Sequence, residues 1–454
     1  MADKKVVDIL LVSGAKENEI FSKVCAEFSY SLEHISQPDL VMESTLDPML
    51  LVVSEFTDSK EATLEELIQI SRQQFPDAYL LLVVDKELTK ARFQFLSKLG
   101  VRIFFLKSEL QNSKLSFAVN QILRASFVPL KSIDLVADVA IPFSVYHLMP
   151  SRKKFLPLLR AGSIISAERL ARLCKEPEFY IHRLEIDLYK KFIESSHDRS
   201  AKGLSRRCRA NFTALQTEFT NLVFELTDET NNVSYGDGQA LLGRCQALCD
   251  DLLVTLAEFP RAWEVINSSS IGEFGSIERA PALAAFCGIF SLSTDVAKIS
   301  EVMLVSLLVD VAVTKLPLDT TAKIRDEKEL SAEEIKRLRY IPQASVEMVL
   351  SRKMGLSESI RNILFGVYER VDGKGYPKGI TEERIRLESQ IIRFAKEFDS
   401  RTLLKMGRQR VDPLDALNSI LTDESLKGVF SEKFFEIVRN KILKSDIFAE
   451  RKSA

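Results

Sequence analysis

The chain has 454 residues, 46% of them apolar and 28% charged, with 62 basic against 64 acidic side chains and a net charge of −2. That length predicts about three domains, each large enough to bury a core of its own. The charge balance gives no bulk attraction for nucleic acid or for an anionic membrane, so neither is expected as a partner.

No apolar run reaches the ~18–20 residues of a membrane span. Val302 to Val313 comes nearest and is interrupted by Asp310. The opening MADKKVVDILLV sets lysines before an apolar stretch. That stretch is short, contains Asp8 and lacks a cleavage site, so it reads as a first strand and the protein as cytoplasmic. Scattered cysteines without an export signal are expected to be reduced thiols. Cys245 and Cys249 fall on one helical face and predict core packing, with no metal and no cofactor expected. The basic cluster Ser205-Arg206-Arg207 reads as a solvated face.

Residues 1–126 alternate strand and helix. Strands are predicted at Val7–Val12, Met49–Ser54, Tyr79–Val84 and Arg102–Leu106, and helices at Glu17–Phe28, Leu64–Gln74 and Glu87–Lys98. Such alternation predicts a doubly wound α/β domain with a parallel sheet. Its order and lengths resemble a response-regulator receiver domain, with Lys107 matching that family's lysine after the last strand. The resemblance implies an acidic pair after the first strand, where Ser13-Gly14 stand, and a phosphoacceptor aspartate after the third, where Val53-Ser54-Glu55 stand. A hard cation needs several oxygen ligands, so a pseudo-receiver without phosphorylation is expected.

Residues 127–196 are punctuated by prolines and predict a small α+β module, with strands at Ile141–His147, Phe155–Leu159 and Glu178–Ile181 and a helix at Ser166–Cys174. The one His-Asp dipeptide, His197-Asp198, lies in a polar stretch without apolar flanks. Residues 197–270 predict a helical linker or bundle. Cys208, Phe212, Leu215, Phe219, Leu222 and Leu226 step by four and three, a heptad seam that packs either within the monomer or against a second copy as a homodimer.

The most specific stretch is Tyr368 to Ile380, YERVDGKGYPKGI. Its glycines allow positive φ and close backbone approach. Pro377 fixes its own φ and biases Tyr376 away from the helical region. Flanked by helices at Ser357–Glu369 and Leu387–Phe398, it strongly resembles the Gly-Tyr-Pro loop of the HD-GYP family, whose active members hydrolyse cyclic di-GMP at a cluster of metal ions. An all-α HD-GYP-like domain over residues 271–454 is therefore expected.

The same resemblance implies where metal ligands would stand. Leu307-Leu308-Val309-Asp310-Val311-Ala312-Val313 occupies the place of the family's His-Asp and lysine string, which puts Val309 at the histidine and Val313 at the lysine. Ile341 stands for the histidine of a His-Pro pair, Val367 and Tyr368 for paired histidines before the loop, and Lys396 for the last aspartate. Valine and isoleucine have no lone pair to offer a metal. Asp310, the one ligand kept, is expected to pair with Lys396 or Lys315.

On these residues the expected protein is not an enzyme. It is a catalytically inactive adaptor in a bacterial cyclic-di-GMP circuit. The resemblance implies a protein partner, a GGDEF-type diguanylate cyclase or a response regulator, met by Arg370, Asp372, Gly373, Lys374, Gly375, Tyr376, Pro377 and Lys378. The alternatives are a cyclic-di-GMP receptor without hydrolysis, with Lys315, Lys374, Lys378 and Lys396 on the phosphates, and an unusual cyclic-di-GMP phosphodiesterase.

Overall fold

The computed structural model describes residues 5–56, 63–76, 78–123, 126–149, 154–173, 179–196, 198–227, 237–259, 261–269, 275–294, 296–402 and 411–445. His197 lies outside the described residues. The chain begins as β1 (Lys5–Val12), α1 (Ala15–Phe28), β2 (Leu32–Ile35), β3 (Leu46–Ser54), α2 (Leu64–Gln74), β4 (Tyr79–Val84), α3 (Lys90–Lys98), β5 (Val101–Leu106) and α4 (Ser113–Leu123). The five strands form one parallel sheet in the order β2-β1-β3-β4-β5.

Successive strand residues point to opposite faces, and both faces are buried. Leu10, Val12, Leu51, Val53, Leu80 and Leu82 meet Leu67 and Ile68 of α2 and Leu96 of α3. Ile9, Leu11, Leu50, Val52, Leu81 and Val83 meet Phe21 and Val24 of α1 and Leu115 and Val119 of α4. This is why the strands read as nearly continuous apolar runs. The edge strand β2, Leu-Glu-His-Ile, is half-buried throughout and carries no such run.

A second sheet follows: β6 (Phe127–Leu130), β7 (Val145–Met149), β8 (Lys154–Leu159), α5 (Ala167–Leu173), β9 (Phe179–His182) and α6 (Ile186–Ser195). Its strands run antiparallel in the order β6-β9-β7-β8. Tyr189 and Ile193 of α6 join Phe143, Phe179 and Ile181 in its core.

Then come α7 (Ala201–Thr227), α8 (Asp237–Glu258) and α9 (Ala262–Ser269). The heptad seam of α7 is buried inside the chain, with Cys208, Phe212, Leu215 and Leu222 fully covered and Phe219 and Leu226 nearly so. Its partners are Leu242, Cys245, Cys249 and Leu252 of α8, so the seam is not a free surface for a second copy. Nor is Arg206 a solvated residue. It is buried, with its guanidinium donating to the carbonyls of Ile133 and Leu135. Beside it, Arg209 donates to the fully buried Asp134 at 3.0 Å.

The C-terminal region is helical: α10 (Ser276–Leu292), α11 (Ile299–Leu308), α12 (Leu318–Arg325), α13 (Ala332–Ser351), α14 (Glu358–Gly366), α15 (Leu387–Thr402), α16 (Pro413–Thr422) and α17 (Glu432–Ile437). One continuous core joins these helices, α12 apart, to α7, α8 and α9. Among the described residues no helix is long and apolar enough to cross a membrane.

The α/β sheet and this helical region share a joint. Ser113 donates its amide and hydroxyl to the Leu316 carbonyl, at 2.9 and 2.8 Å, and Leu318 returns its amide to the Gln111 carbonyl at 2.9 Å. Leu318 packs into the α/β core, while Phe117 of α4 packs into the helical core.

Candidate functional site

The site is built where α11 ends. Val309 is fully buried, and Asp310 leads into the 3-10 turn Val311–Lys315. Ser345 of α13 clamps that turn: its hydroxyl donates to the Val309 carbonyl at 3.1 Å and accepts the Ala312 amide at 3.2 Å. The buried Asp310 carboxylate is thereby held in one place.

Two side chains from other elements converge on it. The Tyr368 hydroxyl donates to Asp310 Oδ1 at 2.5 Å, and the Lys396 ammonium bonds Oδ2. Lys396 and Arg393, one turn apart on α15, share a helix face. Their charged groups lie 5.2 and 5.6 Å from the Tyr368 ring, where the negative face of the π-system attracts cations. Arg393 also pairs with Glu397 at 3.1 Å. Burial, followed by the Asp310 charge, pushes the Tyr368 hydroxyl well above its ordinary range, so it stays a donor at neutral pH.

Tyr368 also faces the Gly-Tyr-Pro loop. Its ring stacks on that of Tyr376, centroids 5.1 Å apart and planes 8° from parallel, and the Tyr376 amide donates to its carbonyl at 3.1 Å. Burial pushes the Tyr376 hydroxyl up to about 12. The peptide between Tyr376 and Pro377 is cis.

The backbone of the loop is held from beneath. Glu369 is buried, and its two carboxylate oxygens accept the amides of Lys378 at 2.7 Å and Ile380 at 3.1 Å. Asp372 accepts from Arg370 Nε and Nη2, at 3.0 and 2.7 Å, and from the Lys374 amide at 3.0 Å. Arg370 reaches on to the Lys427 carbonyl, and the Asp372 amide donates to the Gly428 carbonyl. The Arg370 guanidinium beside Asp372 holds that carboxyl down at about 2. Gly373 and Gly379 take positive φ, 74° and 63°, as their residue type allows. At Gly375 a Cβ would lie 2.3 Å from the Arg370 nitrogen and 2.4 Å from the Glu369 Cα, so only glycine fits.

Of the residues picked out by sequence, the structure bonds Asp310, Tyr368 and Lys396 together and leaves Lys374 and Lys378 exposed. Tyr376, Pro377, Gly373 and Gly375 are half-buried. Arg370 and Asp372 are spent on each other. Val309, Ile341 and Val367 are buried in the helical core, with Val313 packed against it. Lys315 is exposed on the turn after Asp310, and Asp310 takes Lys396.

The resemblance to metal-dependent hydrolases raises the question of whether these residues fit a metal cluster. They do not. The donors around Asp310 are a single carboxylate, engaged by an ammonium and a neutral phenol, and the flanking side chains are aliphatic. A divalent ion needs several oxygen or imidazole ligands converging on it. Among the described residues, no group of three or more His, Cys, Asp or Glu is arranged to hold an ion.

Two further acidic residues carry structure. Glu369 is the buried prop of the loop. Asp399 forms a bidentate pair with the buried Arg279, with one arm at 3.0 Å, tying α10 to α15. The sequence signal for Glu369 is its place directly before a glycine-rich turn, whose free amides need an acceptor.

A second charged cluster lies at the C-terminal edge of the parallel sheet, the usual ligand edge of such folds. Lys107 pairs with Asp85 at 3.0 Å and Glu17 at 3.5 Å and donates to the Glu55 carbonyl at 2.8 Å.

Comparison with known proteins bears on the helical region. Residues 268–426 match the HD domain family. A stretch of 122 residues, 27% of this chain, is 30% identical to the cyclic di-GMP phosphodiesterase PdeB of Borreliella burgdorferi. That stretch spans 31% of the relative's length. A solved structure described as Bd1817, an HDGYP protein from Bdellovibrio bacteriovorus, superposes with a TM-score of 0.47 at 18% identity, covering 70% of this chain and 100% of that one.

These matches correct one expectation. The reading of this chain as a non-enzyme is overturned, because residues 268–426 match the HD domain family and a relative bears a phosphodiesterase name. The C-terminal region of the chain carries an HD domain with weak homology to a cyclic di-GMP phosphodiesterase.

Proposed function

We propose that this protein works in cyclic-di-GMP signalling and that its HD domain docks a protein partner through the Gly-Tyr-Pro loop. The observation that carries this reading is how the loop divides its charges. Arg370 and Asp372 neutralise each other against Lys427 and Gly428. Lys374 and Lys378 remain exposed on either side of Tyr376. An aromatic anchor with a cationic rim, on a backbone already fixed, loses little entropy on binding. A GGDEF-type diguanylate cyclase or a response regulator is the partner class this reading takes.

The α/β unit is read as a pseudo-receiver. Its parallel sheet and Lys107 support this, with Ser54 at the end of β3 and Lys107 already satisfied by Asp85, Glu17 and Glu55.

The test uses the full chain and a purified GGDEF domain in a calorimetric titration. Saturable binding is expected, lost in a Lys374→Glu/Lys378→Glu variant. Equal heats from variant and wild type would remove the loop as the docking surface.

A second reading, action on cyclic di-GMP itself, is favoured by the match to a phosphodiesterase and by the cations Lys396 and Arg393 beside the loop. Titration with the nucleotide separates a receptor from a pure docking module. A hydrolysis assay with added Mn2+ decides turnover.

A further inference from the structure

The site lacks the donors for a metal cluster, yet its parts are tied directly to one another. Asp310 comes from the end of α11, Tyr368 from the end of α14, and Lys396 from α15. They meet through one ammonium group. The Lys396 nitrogen bonds Asp310 Oδ2 and lies 5.2 Å over the ring of Tyr368, whose hydroxyl bonds Oδ1 of the same carboxylate. The other side of the chain of contacts runs from Tyr368 through the 5.1 Å ring stack to Tyr376. A lysine ammonium carries one positive charge and three donors, enough to satisfy a lone carboxylate and still face a ring. A mobile ion would have to be held by ligands that Val309, Ile341 and Val367 cannot supply.

We propose that Lys396 is a positioning residue whose tethered ammonium takes the structural part of a bound ion, fixing Asp310 and Tyr368 so that the Gly-Tyr-Pro loop is ordered with no metal present. The side chain is well placed for this. It is 21% exposed while its partner Asp310 is 8% exposed, so the contact is shielded from water without the lysine being sealed in. Arg393, the second cation over the ring, is paired to Glu397 through one guanidinium nitrogen, and the bond to Asp310 is made by Lys396. Removing the ammonium leaves a buried carboxylate whose remaining described side-chain bond is to the Tyr368 phenol, a costly state. Tyr368 is then free to leave Asp310 and carry Tyr376 with it.

The inference deepens the docking reading, since the loop is the same, but its test reads loop order and not partner binding, so either can fail alone. Hydrogen exchange is followed on the amides of residues 370–380 in the full chain, alone, with EDTA and with millimolar Mn2+. Wild-type protection is expected to be the same in all three conditions. Lys396→Met is expected to raise exchange across the loop by about tenfold or more, with the amides of α7 unchanged as the internal control for global unfolding. Lys396→Arg, which keeps the charge, is expected to restore most of the protection. A chelator that loosens the wild-type loop would overturn the proposal, and that arm needs no variant to fold. So would a Lys396→Met loop as protected as wild type.

Discussion

The ring of Tyr376 lies flat against the ring of Tyr368, 5.1 Å away and 8° from parallel. One tyrosine belongs to the exposed loop, and the other is bonded to the buried Asp310. The stack therefore joins the outer face of the HD domain to its interior. Tyr376→Ala is predicted to cost about 1–3 kcal/mol of stability in urea unfolding, from the lost stack and its buried area. Tyr376→Phe keeps the stack and is expected to stay within about 0.5 kcal/mol of wild type. Equal losses from the two variants would mean that the hydroxyl, and not the ring, carries the contact.

Glu369 gives a second test. Its carboxylate is the acceptor for two loop amides, and bonds to a charged group are worth more than neutral ones. Glu369→Ala is predicted to destabilise the protein by about 2–4 kcal/mol. Glu369→Gln retains one acceptor oxygen and should fall between. Denaturant midpoints for the three proteins check the order; a glutamine as damaging as alanine would contradict it.

At Gly375 the obstacle is backbone, which cannot swing aside as a side chain can. Gly375→Ala should therefore displace the loop, at a cost above about 2 kcal/mol. Faster amide exchange at Tyr376 and Lys378 is the expected signature. A variant with wild-type exchange would show that the turn has slack the geometry denies.

The pH dependence of stability has a traceable source in Glu278. Burial, reinforced by the Glu27 charge, raises its carboxyl from 4.5 to about 7. The folded state then holds this proton more tightly than the unfolded chain does, so ionisation opposes folding. Its contribution to stability declines as pH rises from about 4.5 to 7 and is level above that. Glu278→Gln is predicted to flatten this part of the stability curve relative to wild type. Parallel curves for the two proteins between those pH values would rule Glu278 out as the source.

Much of this architecture is readable from residue patterns, and the exceptions have physical reasons. Strands β1, β3, β4 and β5 are buried on both faces, so their apolar runs announce them. β2 is a half-buried edge of four residues, and β6, Phe-Val-Pro-Leu, contains a proline, so neither carries a clear signal. The seam of α7 is plain as a heptad, but no local pattern tells whether Cys208 and Leu222 will meet α8 or another chain. In the site, Asp310 and Lys396 are legible because an isolated carboxylate in an apolar run needs a partner. The internal pairing of Arg370 with Asp372 is not, because it depends on where Lys427 and Gly428 arrive from a distant part of the chain. Glu369 is hidden for a related reason: a carboxylate beside a charged loop looks solvated until the turn folds over it.

The exchange of Phe117 and Leu318 across the joint also bears on how this protein can be taken apart. Each half has lent the other an apolar plug. Excising the helical half would strip Phe117 from its ceiling and leave Leu318 as a greasy scar in open water, beside the turn that seats Asp310. Neither part would present a wholly polar face where the other is now seated.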